Sequence, residues 1–307
     1  MQEMHGSQTP QSRPPAHPTL DVPREQRRAA LQTNLRLHWQ SRLILLLVLP
    51  TSVVWSIVLL LRLGSTEGTA PLLLRTLGPA TALALLVWRK RSATMPGALT
   101  GGLLMAGFCL TTPGLQTSAW PLLSMLVLTL AATRVGRARK QQLQVGDGAH
   151  GRNAAQVAAN LGVSVLAGIL INAHGRVAAL TVLLAALAEA AADTLASELG
   201  VALGGTPRLI TTLKRVVPGT DGGITLLGTT LGSVGAALVA AVGVLAMQLP
   251  WSSGLVAAAA GIVGLLFDSA LGATLERKGL LNNDAVNFLS TLAAAILALA
   301  VEEGMRR

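Results

Sequence analysis

Apolar runs of transmembrane length recur along this 307-residue chain, and they restrict its fold more than any other feature. A helix needs about 20 mostly apolar residues to cross roughly 30 Å of hydrocarbon. Hydrophobic residues make up 51% of the chain and charged residues only 12%, which is too little charge for a soluble surface. We therefore predict an all-α, polytopic transmembrane bundle of about nine spans, at residues 43–61, 71–88, 97–112, 119–133, 153–172, 177–199, 223–248, 254–273 and 285–301. The third and fourth spans could instead form a re-entrant hairpin.

The chain before the first span has a different composition. Residues 1–41 lack the apolar segment of a signal peptide, and their first part is rich in Pro, Gln, Arg and Ser, which predicts disorder. Residues 23–39 predict a basic amphipathic helix on the membrane surface. We expect residues 42–307 to form one transmembrane domain, with a polar site built from residues 150–292.

The distribution of Lys and Arg predicts the orientation. If the N-terminus is cytoplasmic, nineteen of the 24 basic residues lie on the cytoplasmic side and five on the other. This bias indicates positive-inside topology with the C-terminus outside. The net charge of +10 therefore reflects topology, and with only 3% aromatic residues and no Tyr we do not expect a nucleic-acid partner. The Ala- and Leu-rich composition favours a bacterial plasma membrane, and a homodimer remains open.

Polar side chains within the predicted membrane region are concentrated in the last five spans, near their cytoplasmic ends. Their spacing of three or four residues puts them on one face of each helix. Five helices should therefore bring polar faces together in one leaflet. The residues concerned are Asn153, Gln156 and Asn160, then Asp193, Ser197 and Glu198, then Asp221, Asp268 and Asn287.

The carboxylates among these residues predict a cation site. An ionised carboxylate in a bilayer costs several kcal/mol, so it persists only beside a cation, water or another polar group. A single acidic residue near a helix end can be a simple cap or interfacial group. This explanation is less suited to Asp193, Asp221 and Asp268. They are expected at one depth in the membrane, where their charges repel one another unless a cation lies between them. Carboxylate, amide and hydroxyl oxygens suit Mg²⁺.

The segment from Gly204 to Gly223 predicts phosphate binding. It combines glycines and cations, and exposed backbone N–H groups beside Lys and Arg bind phosphate. Gly222 and Gly223 would direct the N-terminus of the next helix at an anion. The Lys and Arg residues of this segment could instead serve only as positive-inside topology signals. The candidate phosphate ligands are Arg208, Thr211, Thr212, Lys214, Arg215, Thr220, Gly222 and Gly223. The basic run 134–140 lacks such glycines and is interpreted as a topology signal. The residues alone thus indicate a magnesium-dependent site for a lipid phosphate.

Several motifs resemble one known membrane family. The segments 152–157, 192–200, 207–223 and 268–274 are similar to the integral membrane family, domain-of-unknown-function family ninety-two, that includes transmembrane protein nineteen and the chloroplast phytyl-phosphate kinases. The resemblance covers roughly residues 95–302. It implies phosphorylation of an isoprenyl monophosphate to the diphosphate. Residues 214–223 are also more distantly similar to dolichol kinases and phosphatidate cytidylyltransferases, which implies CTP in preference to ATP, although Asp221 interrupts that motif.

These features lead to one leading hypothesis, a polyprenyl-phosphate kinase that uses a nucleoside triphosphate and Mg²⁺. Asp193, Asp221 and Asp268 would bind the metal with Glu198 assisting, and Lys214 would be catalytic. The remaining candidates would bind the nucleotide or orient the acceptor phosphate. An isoprenyl-phosphate transporter and a cytidylyltransferase are the alternatives.

Overall fold

The computed structural model of the protein describes residues 24–143 and 151–307, and it is helical almost throughout. The predicted disorder of the first residues lies outside the described part. The bundle is formed by the residues from Leu37 onward. The first five helices are α1 Arg24–Glu67, α2 Thr69–Arg89, α3 Met95–Thr111, α4 Ala119–Arg134 and α5 Arg137–Leu143.

The second half of the chain contains longer helices and one small sheet. α6 Ala154–Leu166 passes through a 3-10 turn at Ala167–Leu170 into α7 Ile171–Leu203, and α9 Trp251–Leu271 continues into a π-helical turn at Gly272–Glu276. Two short strands pair antiparallel, with Arg208 opposite Ile224. The other elements are β1 Arg208–Leu209, β2 Gly223–Ile224, α8 Leu226–Met247 and α10 Asn283–Met305.

The all-α polytopic fold is confirmed, but the number of membrane-length helices is lower than predicted. Within the described residues, six helices are long and apolar enough to cross a membrane, or seven if the bent pair α4 and α5 is one span. Two differences account for the change from nine to seven, and the bent pair α4 and α5 accounts for the change from seven to six. α3 has only 17 residues, and residues 154–203 count as one apolar helix. The exact span count and the orientation stay predictions.

The segment 154–203 nevertheless folds back on itself. Gly175 has φ 79° and ψ 168°, which breaks the helix and is a conformation that favours glycine. The Arg152 guanidinium donates a 3.4 Å hydrogen bond to the hydroxyl of Thr194, 42 residues later. A straight helix would put these residues about 60 Å apart at 1.5 Å per residue. α6 and α7 are therefore neighbours that run in opposite directions.

α7 is the central helix, and small residues let its neighbours approach it closely. Every residue from 178 to 192 is buried. A Cβ atom on Gly228 or Gly232 of α8 would lie 2.6 Å from the carbonyl oxygen of Ala196 or Ala192. Glycine is thus required for this backbone contact, as in other tightly packed membrane helices. The contact fixes α8 beside the polar end of α7.

Four helices begin at the same end of the bundle with a polar cap. The Thr94, Asn153, Thr225 and Asn282 side chains accept hydrogen bonds from backbone N–H groups in the first turns of α3, α6, α8 and α10. Such caps satisfy N–H groups that have no partner within the helix. α1 is attached at this end too, because the Ser41 hydroxyl donates to the Asp284 carboxylate at 2.6 Å.

The opposite end of the bundle contains a closed polar cluster. Glu302 is only 4% exposed, and its Oε1 accepts 2.8 Å hydrogen bonds from the hydroxyls of Thr181 and Ser253. Nearby, Glu303 contacts His174 at 3.0 Å and Arg306 at 3.3 Å. These contacts join α7, α9 and α10 at the end distant from the helix caps.

Candidate functional site

A polar cavity of about 310 Å³ opens at the capped end of the bundle. α6 to α10 and the loop between β1 and β2 all contribute to its wall. The structure thus brings together side chains that are up to 147 positions apart in the sequence, from Lys140 to Asn287. The predicted residues that line the cavity are Gln156, Asn160, Asp193, Ser197, Glu198, Thr220, Asp221, Gly222, Gly223, Asp268 and Asn287.

Carboxyl groups from four elements meet in this cavity. Asp193 comes from α7, Asp268 from α9 and Asp221 from the loop, and Glu276 joins them from the π-helical turn. Asp268 experiences repulsion from each of the other three. One hydroxyl, that of Ser290, donates to Asp268 at 3.2 Å. A group of acids in mutual repulsion is a setting that a bound cation would relieve.

Glu189 lies one turn below Asp193 on α7. It is 1% exposed, and its Oε1 has no hydrogen-bond partner within the described part of the chain. A Cβ on Gly264 of α9 would be 2.6 Å from the Glu189 side chain. The glycine therefore makes room for a carboxyl group directly beneath the cavity floor.

Asp221 occupies the exposed mouth of the cavity. Partial burial by the surrounding loop raises the pKa of Asp221 above its ordinary value, and the nearby Arg277 guanidinium opposes this rise. Desolvation disfavours the charged form of a carboxyl group, so its charge becomes easier to neutralise.

Among the described residues, Lys140 and Arg152 are the cations of the cavity wall, and the role of Lys140 was not predicted from the sequence. The run 134–140 was interpreted as a topology signal, yet Lys140 is only 6% exposed. Its ammonium group donates to the Ala132 carbonyl oxygen at 3.0 Å and forms an ion pair with Glu198. Glu198 was predicted to assist a metal, but its charge is already balanced by Lys140. Only tertiary contact between α5 and α7 reveals this pair.

Residues 208–215, the tip of the loop, are not part of the cavity wall, and five of the predicted ligands belong to this tip. Arg208 and Lys214 are exposed, and the Arg208 guanidinium donates to the Leu213 carbonyl oxygen at 2.9 Å. The tip is closed on itself by a 2.9 Å hydrogen bond from the Leu209 N–H to the Lys214 carbonyl oxygen. The predicted ligands outside the cavity wall are Arg208, Thr211, Thr212, Lys214 and Arg215.

Gly222 and Gly223 line the cavity, but their amides are not arranged as a simple phosphate cradle. Gly222 has φ +71°, and a Cβ there would lie 2.3 Å from the backbone nitrogen of Ala273. The Gly223 N–H donates to the Thr220 carbonyl oxygen at 2.9 Å. α8 begins only at Leu226, where Thr225 caps it. The glycines are therefore needed for close contact between the loop and the end of α9.

Asn153 and Asn160 also have local partners. Asn153 forms a capping box with Gln156, in which each side chain accepts from the other residue's backbone N–H. Asn160 donates to the Gln156 carbonyl oxygen at 2.8 Å. Asn153 thus positions Gln156 rather than lining the cavity. The lining residues with polar side chains that are outside the predicted ligand set are Lys140, Arg152, Thr194, Thr225, Thr229, Ser269, Glu276 and Asn283. Several of these follow the four-residue spacing of selected neighbours, which was the available signal.

The donor groups of the cavity fit a hard divalent cation. All of its acids and amides offer oxygen, the ligand that Mg²⁺ prefers. Among the described residues, no three His, Cys, Asp or Glu side chains are already set around a single metal position. Mg²⁺ often takes only one or two carboxylates and fills its shell with water and substrate phosphates, so such a site needs no complete protein cage.

Comparison with known proteins places the fold in a family. The family model described as Integral membrane protein DUF92 matches residues 79–295. The chain is 38% identical over 180 residues to "Uncharacterized membrane protein MJ0933" of Methanocaldococcus jannaschii, covering 59% of this chain and 74% of that protein. No solved structure matches the chain.

Two relatives come from Arabidopsis thaliana. "Protein PGR" is 30% identical over 259 residues, covering 68% of this chain and 89% of that protein. "Protein VTE6, chloroplastic" is 34% identical over 114 residues, covering 36% of this chain and 34% of that protein, so the match spans about a third of its length. The family match over most of the membrane domain shows that this chain belongs to the DUF92 family of integral membrane proteins.

Proposed function

We propose that the chain is an isoprenyl-phosphate kinase, which transfers a phosphoryl group from a nucleoside triphosphate to an isoprenyl monophosphate. The observation that carries this proposal is the meeting of Asp193, Asp221 and Asp268 in one cavity beside the Arg152 guanidinium. Acids that repel one another suit a cation, and a neighbouring guanidinium suits phosphate. Phosphoryl transfer needs both kinds of group.

Family membership supports the same reaction. The motifs at residues 152–157, 192–200 and 268–274 resemble those of the chloroplast phytyl-phosphate kinases, and a chloroplast protein is among the relatives. Asp193 and Asp268 belong to these motifs, and both line the cavity. The resemblance and the geometry thus point to the same residues.

The residues divide into two groups by chemistry. Asp193, Asp221 and Asp268 would hold Mg²⁺, and Glu276 stands beside them. When bound, Mg²⁺ supplies charge neutralisation to phosphate oxygens. Arg152 would orient the acceptor phosphate, because a guanidinium pairs with phosphate in a defined geometry.

The reaction requires alignment more than acid–base chemistry. An oxygen of the acceptor phosphate attacks the terminal phosphorus, the bond to the bridging oxygen breaks, and the nucleoside diphosphate leaves. The acceptor oxygen is already anionic, so no strong general base is needed. Catalysis then depends on charge stabilisation and positioning by the cavity.

The proposal also includes CTP as the nucleotide and the cytoplasmic side of the membrane as the location of the cavity. CTP is favoured over ATP by the similarity of residues 214–223 to the dolichol kinases. The cavity opens at the end that carries Lys90, Arg134 and Arg277, and a basic rim favours the cytoplasmic side, in a bacterial plasma membrane. A transporter would be expected to place its site near the bilayer midplane, whereas this cavity is at the end of the bundle.

The test is direct assay of purified protein in nanodiscs. The protein is given labelled CTP or ATP, Mg²⁺ and farnesyl, geranylgeranyl or phytyl monophosphate. We expect a labelled isoprenyl diphosphate, formed faster with CTP, and its loss in Asp193→Asn. Product with a CDP-lipid linkage would instead indicate a cytidylyltransferase. Absence of any diphosphate, together with translocation of the phosphate lipid across vesicles, would overturn the kinase proposal.

A further inference from the structure

A second cavity of about 550 Å³ lies beside the polar one, between α2, α3, α4 and α6. Its wall is largely apolar and includes Leu83, Leu122, Met125 and Leu126. This volume is within the range of cavities that bind small ligands. None of these four residues lines the polar cavity.

The mouth of the second cavity is basic. Lys90, Arg91, Arg134 and Arg137 line it, and within the described residues no hydrogen bond or ion pair joins these four side chains to another group. An apolar interior with a cationic rim is complementary to a molecule that has a long hydrocarbon chain and an anionic head. In the described part of the chain, no acid forms an ion pair with these rim charges.

The two cavities share one wall, formed by Arg152, Gln156, Asn160, Lys140 and Glu198. Backbone hydrogen bonds between the turn after α2 and the start of α6 hold this wall. The Arg152 N–H donates to the Ser92 carbonyl oxygen at 3.0 Å, and the Thr94 N–H donates to the Arg152 carbonyl oxygen at 3.0 Å. The backbone of Arg152 is therefore held in place by two hydrogen bonds, and its side chain borders both cavities.

From this arrangement we infer that the second cavity binds the acceptor lipid, an isoprenyl monophosphate. Its chain occupies the space between α3 and α4, and its phosphate lies at the wall of Arg152 and Gln156. That wall also borders the polar cavity, where the nucleoside triphosphate binds. This inference rests on the proposed function, since it names where that reaction holds its acceptor.

The separation of charge supports this division of roles. The polar cavity is lined by Asp193, Asp221 and Asp268, which would repel a monophosphate that brings no metal. The second cavity has Glu198 as its one acid among the described residues, and Lys140 neutralises it. A monophosphate lipid is thus favoured in the second cavity even before a nucleotide binds.

Gly101 offers a way to fill the second cavity without touching the first. It lines only the second cavity, and a Cβ there would meet nothing nearer than the Val157 side chain at 3.9 Å, an ordinary contact. Gly101→Leu therefore adds a side chain to the space proposed for the hydrocarbon chain. Gly78→Leu is the matched control, because a Cβ at Gly78 meets nothing within 4 Å and Gly78 lines neither cavity.

The experiment measures binding and turnover separately, in nanodiscs. We expect Gly101→Leu to raise both the Kd, without nucleotide, and the KM for geranylgeranyl monophosphate about tenfold, with kcat within about twofold. Geranyl monophosphate, which has a shorter chain, should be affected less than about threefold. Gly78→Leu should match the wild-type protein. Equal affinity of Gly101→Leu and wild type for the long acceptor would overturn the inference.

Photo-crosslinking of the wild-type protein provides a readout that depends on neither folding of a variant nor turnover. An isoprenyl monophosphate with a photoreactive group on its chain should label α3 or α4. Labelling confined to α8 or α9 would contradict the inference. If α3 or α4 is labelled but no diphosphate forms in the assay, the lipid site stands and the kinase proposal fails. If diphosphate forms and neither labelling nor Gly101→Leu behaves as expected, only the lipid site is wrong.

Discussion

Both ends of the bundle contain carboxyl groups with little exposure to solvent, but the groups that surround these carboxyls differ. At one end, the protein itself supplies Glu302 with two hydroxyl donors, from Thr181 and Ser253. At the other end, the neighbours of Asp268 include three further acids, and the Ser290 hydroxyl donates to it at 3.2 Å. The first arrangement is complete without a ligand. The second leaves several acids in mutual repulsion, which a bound cation would relieve.

The largest effect should follow from removing charge at the open end. Asp268→Asn keeps the shape of the side chain and an acceptor for Ser290, but it removes one proposed metal ligand. We expect turnover to fall about 100- to 1000-fold, the size seen when a single transition-state-stabilising group is lost. Product formation across a Mg²⁺ titration measures this. Thermal stability without Mg²⁺ should not fall, because one source of repulsion has gone. A variant with full activity would show that Asp268 is outside the reaction.

The closed end should respond in stability rather than activity. Glu302→Leu removes the acceptor of the buried Ser253 hydroxyl, whereas Thr181 retains the Val177 carbonyl oxygen at 2.9 Å. A buried polar group without a partner costs about 1–3 kcal/mol, so the unfolding temperature should fall. Turnover at low temperature should remain near wild type. The control is Glu303→Gln, whose partly exposed ion pairs are worth less than about 1 kcal/mol. Loss of activity in a folded Glu302→Leu protein would remove the distinction between the ends.

The raised pKa of Asp221 predicts that the stability of the folded protein depends on pH. The pKa of Asp221 is higher in the folded protein than in the unfolded chain, so the folded state binds more protons between those two values. Stability therefore falls as pH rises through that window. Asp221→Asn lacks this loss, and without divalent cation its unfolding temperature relative to wild type should increase with pH. Parallel pH curves for the two proteins would contradict the assigned environment of Asp221.

The smallest effect is expected at the loop tip. Lys214 was predicted from the sequence to be catalytic, but its side chain is exposed and outside the cavity wall. Lys214→Ala should change kcat/KM by less than about twofold, as for an exposed charge distant from the reaction. Lys140→Ala is the informative comparison in the same assay, because it leaves Glu198 buried without its partner. A large loss in Lys214→Ala would mean that the loop tip moves to the cavity during turnover.

Much of the fold follows from the sequence, because hydrophobicity is a property of each segment by itself. Predicted spans such as 71–88 and 285–301 fall within α2 and α10. The break at Gly175 lies in the predicted gap between spans 153–172 and 177–199, where Asn172, His174 and Arg176 interrupt the apolar sequence. The direction in which the chain turns there depends on tertiary contacts, which local composition does not contain.

The candidate site shows the same limit. Helical spacing was enough to predict that Asp193, Asp268 and Asn287 would face one another, because side chains three or four residues apart share a face. The basic and glycine-rich loop was a poorer guide. Its composition is compatible with phosphate binding, but the chain uses Gly222 to approach Ala273 and closes the tip around Lys214.

The sequence by itself determined that this chain is a membrane bundle with acids at one end of its last five helices, since burial cost and helical period act on short segments. Only the tertiary structure decided which acidic side chains have a partner within the protein and which lie beside other acids. Lys140 and Glu198 are 58 residues apart, and Glu302 meets Thr181 across 121 residues. Electrostatic energy depends on distance in space, which no local pattern contains.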